Sequence, residues 1–355
     1  MSTPPARRAL DDIPVYKPGK PAESDHLKLS SNENPYPPLP GVMEKAAAEL
    51  ARVNRYPDAG TTDLYAALSR TYGLPPECFS ASTGSVAVLF SLLTAFCEQG
   101  DEIIYAWRSF EAYPIGADLT GARTIRVPLR PDATHDIDAM AAAVTERTRV
   151  VLICSPNNPT GPVVTHAELE RFVDAVPDDV IVVVDEAYNE FVRQEDAARG
   201  LDLADHQNVV VLRTFSKAYG LAGLRVGYAI AVPEVALAIR KAIAPFSVTD
   251  VAQAAAVASL DAADALGERV EAIVSERVRV LAALRGQGWD VPDSEANFVW
   301  LPLGEDSLDF AAACGPVSVR PFAGDGVRVS IGDPAVNDQF LEVAERWMTG
   351  DPVVE

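Results

Sequence analysis

Cysteine, histidine, methionine and tryptophan are scarce, four of each in 355 residues. The cysteines (Cys78, Cys97, Cys154, Cys314) are far apart and sit mostly in apolar runs. No C-x-x-C occurs, and His26, His135, His166 and His206 are remote from one another. That spacing speaks against a zinc site or a disulfide framework and leaves buried free thiols in a reducing compartment; no metal is expected. Long apolar runs are also missing, none approaching the roughly 18 residues needed to cross a bilayer, so no membrane partner is expected. The opening residues, MSTPPARRALDDIP, contain no apolar core segment. No secretory leader is therefore expected, and a cytoplasmic location follows. Positive charge is short as well, with 30 Lys and Arg against 51 Asp and Glu and a net charge of −21. A field of that sign repels polyanions and argues against nucleic acid as a partner. Any anionic ligand must be gripped by a local positive cluster. Lysine itself is rare, six residues against 24 arginines.

What is present is an ordinary globular composition, 48% hydrophobic and 23% charged, long enough for about two domains. The first 40 residues, rich in Pro and polar residues, read as an extended arm. From residue 41 the patterns GVMEKAAAELARV and TTDLYAALSRTYG read as helices. Strand and helix then alternate. The helices are SVAVLFSLLTAFCEQ, DIDAMAAAVT and HAELERFVDAV; the strands are EIIYA, TIRVPL, RVVLICS, DVIVVVDEA, NVVVLRTF and RVGYAIA. Several strands are apolar on both faces, as in a parallel sheet covered by helices on each side. The expected class is α/β, a mainly parallel doubly wound sheet. Near residue 245 the rhythm changes to Ala-rich helix, then short strands (NFVWLPL, VSVRPF, GVRVSIG) and a last helix. The expected parts are an arm, 1–40, packing with the small domain, a large domain, 41–245, and a small α+β domain, 246–355.

Ligands of open α/β sheets lie beyond the carboxyl ends of the strands. Four such places carry reactive residues. SPNNPTG follows RVVLIC and is at least a turn. Asp185 ends DVIVVVD, with Tyr188 three residues on; the acid either caps the next segment or sits beside a cation. Lys217 follows NVVVLRTFS and is either a surface lysine or an amine of lowered pKa able to attack a carbonyl. Thr214, Ser216 and Arg225, eight residues beyond Lys217, could hold a phosphate. Thr83, Gly84 and Ser85 open a helix whose free N–H groups either bind an anion or are capped by a hydroxyl. It is their joint occurrence, in this order at the strand ends of one sheet, that points to a site.

With these motifs the chain resembles the fold-type I pyridoxal-phosphate aminotransferases, and within them the histidinol-phosphate aminotransferase family. The resemblance runs from Y-K-P-G-K-P and S-S-N-E-N-P to G-V-R-V-S-I-G. NRYPD, WRSFEAYP, SPNNPTG, DEAY, RTFSKAYGLAGLRVGYAI and ANFVWLPL are most similar to an actinobacterial branch assigned as aromatic amino acid (phenylalanine) aminotransferases. The resemblance implies pyridoxal 5'-phosphate as cofactor in the large domain. It makes Lys217 the Schiff-base lysine and proton carrier. Asp185 pairs with the pyridine nitrogen, and Asn158 and Tyr188 bond the phenolic oxygen. Gly84, Ser85, Thr214, Ser216 and Arg225 hold the phosphate. Phe110 stacks on the ring, with Trp107 as the competing candidate. Tyr56 reaches the phosphate of a neighbouring subunit, which implies a homodimer. Arg328 forks onto the substrate carboxylate; Arg320, Tyr16 and Asn32 complete the substrate pocket.

The implied reaction is ping-pong transamination of aromatic L-amino acids with 2-oxoglutarate, with small amino and 2-oxo acids as partners. The alternative is histidinol phosphate, whose phosphate Arg320 and Arg328 could clamp. WRSFEAYP, in place of the family's more usual P-x-Y-x-x-Y, favours the aromatic branch. A decarboxylase on the same fold has no specific sequence support. A regulator of this fold would carry a basic DNA-binding extension, which is lacking.

Overall fold

The computed structural model describes residue 13 and residues 24–350. The first α-helices among the described residues are α1 (Val42–Glu49) and α2 (Thr62–Tyr72). β1 (Phe79–Ser82), α3 (Ser85–Phe96), β2 (Glu102–Trp107), α4 (Ala112–Thr120) and β3 (Arg123–Pro128) come next. α5 (Ile137–Ala142), β4 (Thr148–Cys154), α6 (His166–Ala175), β5 (Ile181–Asp185), β6 (Val209–Thr214) and β7 (Gly227–Ile230) complete the sheet region. After α7 (Pro233–Ala242) come α8 (Asp250–Asp261), α9 (Ala263–Gly286), β8 (Phe298–Leu301), α10 (Ser307–Ala313), β9 (Arg320–Phe322), β10 (Gly326–Ser330) and α11 (Pro334–Thr349).

Seven strands form one sheet in the order β1-β7-β6-β5-β4-β2-β3. Its neighbours pair in parallel except β7, which is antiparallel to both β1 and β6. The expected α/β, mainly parallel architecture is therefore present. β4, β5 and β6 are buried almost throughout because side chains leave alternately to both covered faces. In β5, Val182 and Val184 join one apolar core, and Ile181 and Val183 join the other, which α3 and α4 cover. β3, at the edge, is half exposed. A second, antiparallel sheet has the order β8-β10-β9. Leu29 lies along it: Leu29 N donates to Ser318 O, and Ser330 N donates to Leu29 O.

Two elements have no sequence signature. β1 is the short polar segment FSAS, which becomes a strand because β7 lies beside it. α4 contains Pro114 and Gly116, but the proline falls in the first turn, where no intrahelical N–H bond is lost. The Ala-rich stretch after residue 246 forms two helices. Thr249 caps α8 through the Ala252 N–H, and the chain breaks again at Ala262 before α9. α8 packs against α1 and α2. Among the described residues no helix is long and apolar enough to cross a membrane. All four cysteines are buried free thiols.

Candidate active site

Cys154, Asp185 and Leu212 are cross-strand partners, so β4 and β5 finish level at their carboxyl ends and β6 runs two residues further, to Thr214. A cavity of about 320 Å³ opens there between the large sheet and the small one. It collects the strand-end residues expected from the sequence: Asn158, Asp185, Tyr188, Thr214, Ser216 and Lys217. Ser85 and Arg225 line it from one side, and Asn32, Arg320 and Arg328 from the other. Phe110 also lines it, whereas Trp107 lies outside, flanked by the guanidinium groups of Arg108 and Arg126, each 4.5 Å from its ring centre. Tyr16 falls outside the described residues. Tyr56 does not line this cavity; it is 80% exposed and stacks on Phe246 at 4.7 Å.

One end of the cavity is built for an anion. α3 starts at Ser85, with Gly84 as its N-cap at φ 89°. A Cβ at Gly84 would come within 2.5 Å of Arg225 Nη2, so only glycine lets the guanidinium reach across the helix start. Gly227 is as tightly placed: a Cβ there would collide with the Ser85 backbone nitrogen, and its absence seats α3 on the sheet. Arg225 itself adopts φ 56° and donates to Ser216 Oγ at 3.3 Å and to the Ala222 carbonyl at 3.0 Å. Thr214 Oγ1 accepts the Ser216 N–H at 3.1 Å. Helix N–H groups, two hydroxyls and an arginine thus converge despite the overall negative charge.

The other polar groups are held from several elements. Tyr113, on α4, donates its hydroxyl to Asp185 Oδ2 at 2.8 Å, and the Ala187 N–H reaches Oδ1 at 3.3 Å. Burial raises the Asp185 carboxyl to about 6, while the Tyr113 bond opposes the shift. No ion pair to Asp185 exists among the described residues. Lys217 Nζ donates to the Ser31 carbonyl at 3.3 Å and lies 5.8 Å from the centre of the Tyr188 ring. Burial, reinforced by the charge of Arg328, lowers the Lys217 ammonium to about 7. Asn32, in the left-handed region that asparagine tolerates, donates to the Tyr188 hydroxyl at 2.9 Å. Burial raises the Tyr188 phenol. Arg328 donates to Asn158 Oδ1 at 2.6 Å and to the Ser30 carbonyl at 2.8 Å. Arg320 donates to Glu111 Oε2 at 2.8 Å.

The lysine shift predicts a pH effect on stability. In the unliganded protein the unfolded chain holds the Lys217 proton up to its ordinary pKa of 10.5, and the folded chain only to about 7. This residue therefore destabilises the fold fully below pH 7, and the penalty fades as pH rises toward 10.5. Unliganded Lys217→Met is expected to exceed the parent in stability at pH 7, with the difference shrinking by pH 10. Urea unfolding at the two pH values checks this; a pH-independent difference would contradict it.

Tyr113, Glu111, Phe322 and the Ser30 and Ser31 carbonyls are among the site groups that motif reading misses. Tyr113 is the second residue of α4, and its ring meets that of Phe110, just before the helix, edge-on at 5.6 Å.

Fold and site together define a class. The family model "Aminotransferase class I and II" matches residues 24–343, and the chain belongs to that family. It is 57% identical over 352 residues to an aromatic amino acid aminotransferase of Streptomyces coelicolor, covering 98% of each chain. Identity to an aromatic amino acid aminotransferase of Thermobifida fusca is 55%, covering 96% of each. Among solved structures it is similar to histidinol-phosphate aminotransferase from Sinorhizobium meliloti in complex with pyridoxal-5'-phosphate. That match has a TM-score of 0.89 at 25% identity and covers 98% of this chain and 99% of the other.

Proposed function

We propose that this chain transfers the amino group of aromatic L-amino acids to 2-oxoglutarate with pyridoxal 5'-phosphate as cofactor. The observation that carries this reading is a buried amine, Lys217, in one cavity with an anion cradle, a buried acid and Arg328. The residues fit the cofactor. Asp185 is a buried carboxylate in need of a cationic partner, which a protonated pyridine nitrogen provides. Gly84, Ser85, Thr214, Ser216 and Arg225 suit a phosphate dianion. Asn158 and Tyr188 would bond the phenolic oxygen, and Phe110 would cover a ring face. Bound there, the cofactor supplies an aldehyde that takes up the amino group and a cationic ring that draws electrons from the substrate's Cα.

Lys217 then takes the Cα proton and returns it on the other side of the reaction, a task suited to an amine of near-neutral pKa. Asp185, fixed by Tyr113, keeps negative charge where the ring nitrogen would sit. Arg328, held by Asn158 and Ser30, forks onto the substrate carboxylate and orients the Cα–H bond. Phe110 and Phe322 give an aryl side chain apolar walls, in keeping with the relatives named above. Asn32 belongs to the substrate side, and Tyr16 is assigned there with it.

We also infer a cytoplasmic homodimer. Met43, Leu50, Val53, Tyr56 and Phe246 are large apolar side chains exposed on one chain, and a second copy would cover them. Tyr56 would then reach the partner's phosphate cradle; sedimentation at one subunit mass would refute this.

The substrate test is steady-state kinetics with 2-oxoglutarate as acceptor. Phenylalanine is expected to exceed histidinol phosphate in kcat/KM. The reverse order would move the function to the phosphate substrate, with Arg320 and Arg328 as its clamp.

A further inference from the structure

Arg320 and Arg328 are direct cross-strand partners on β9 and β10, and both line the cavity. Arg328 donates to Asn158 Oδ1 and to the Ser30 carbonyl. Arg320 donates to a carboxylate, Glu111 Oε2, at 2.8 Å. Glu111 is the residue just before α4, and it too lines the cavity. A second pair of the opposite polarity, Arg108–Asp325, joins the same two segments. Glu111 is thereby held against the β9–β10 hairpin.

We propose that Glu111 is a specificity-determining residue that turns the side-chain subsite from cationic to neutral; this rests on the aromatic reading above. Arg328 is the arginine assigned above to the α-carboxylate that every amino acid carries. The charge of the other is matched by Glu111. An uncharged aryl group meets Phe110 and Phe322 without disturbing the pair. A side chain bearing phosphate or carboxylate must displace Glu111 from Arg320, leaving two like charges in one partly desolvated cavity. Glu111 thus acts by repulsion of the wrong substrate more than by attraction of the right one. The co-substrate 2-oxoglutarate, whose side chain is anionic, meets the same cost.

The test measures kcat/KM for phenylalanine and histidinol phosphate, at fixed ionic strength, for the parent and Glu111→Gln holoenzymes. The amide keeps the size and a hydrogen-bond acceptor but loses the charge. The histidinol phosphate to phenylalanine ratio is expected to rise about tenfold or more, with 2-oxoglutarate gaining in the same direction. Glu111→Asp should retain the parent ratio. Adding Arg320→Met to Glu111→Gln should abolish the gain, since the gain comes from an unmasked arginine. An unchanged or lower ratio in a folded, cofactor-loaded Glu111→Gln enzyme would overturn the proposal. Glu111→Ala gives the same reading should the amide fail to fold. A parent enzyme that already prefers histidinol phosphate would overturn the aromatic reading itself, a result separable from failure of the variant.

Discussion

Lys217→Ala should fold, bind the cofactor and lose turnover by about 10⁴-fold or more, as expected when the group that attacks and moves protons is removed. The size of the effect follows from its place. Lys217 is the amine three residues beyond β6, 5.8 Å from the Tyr188 ring centre and in one cavity with Asp185. Its fold cost is small or favourable, because alanine removes a buried amine whose proton the site already disfavours. Circular dichroism should therefore match the parent, and the unfolding midpoint of the unliganded variant should not fall. Steady-state transamination near the parent rate would mean that another group moves the proton.

Asp185→Asn is expected to lower kcat by about 10³-fold, in the range seen when one preorganised electrostatic partner is lost. The amide still accepts the Tyr113 hydroxyl and leaves the strand end in place, so the loss reads charge and not geometry. KM for phenylalanine should move much less than kcat, since Asp185 faces the ring nitrogen and not the substrate carboxylate. In the unliganded protein the variant should be more stable than the parent above pH 6. The folded carboxyl titrates near 6 and the unfolded one near 3.8, so ionised Asp185 destabilises the fold above that window. A rate equal to the parent's would remove Asp185 from the chemistry.

Much of this site was legible because parallel sheets place function at strand ends. Asp185 ends the buried strand β5 and Lys217 comes three residues after the buried strand β6, apolar runs that cannot be mistaken for loops, and the topology brings them together at the carboxyl edge. Asn158 and Arg225 sit in turns whose residue types were visible. The choice between Phe110 and Trp107 was not: both are aromatic and three residues apart, and the structure separates them by the two arginines around Trp107. Tyr113 was hidden because Pro114 and Gly116 mask α4, although the proline sits where a helix tolerates it. The Glu111–Arg320 pair joins residues 209 positions apart, and no local pattern announces it. β1 escaped because its strand character comes from β7, not from FSAS.

The most direct measurement is an absorbance titration of the purified, cofactor-loaded enzyme with phenylalanine. The proposal predicts a near-ultraviolet or visible band, arising from the cofactor joined to Lys217, that phenylalanine bleaches and 2-oxoglutarate restores. Absence of a band after cofactor is added, or a band that phenylalanine leaves unchanged while histidinol phosphate bleaches it, would contradict the account.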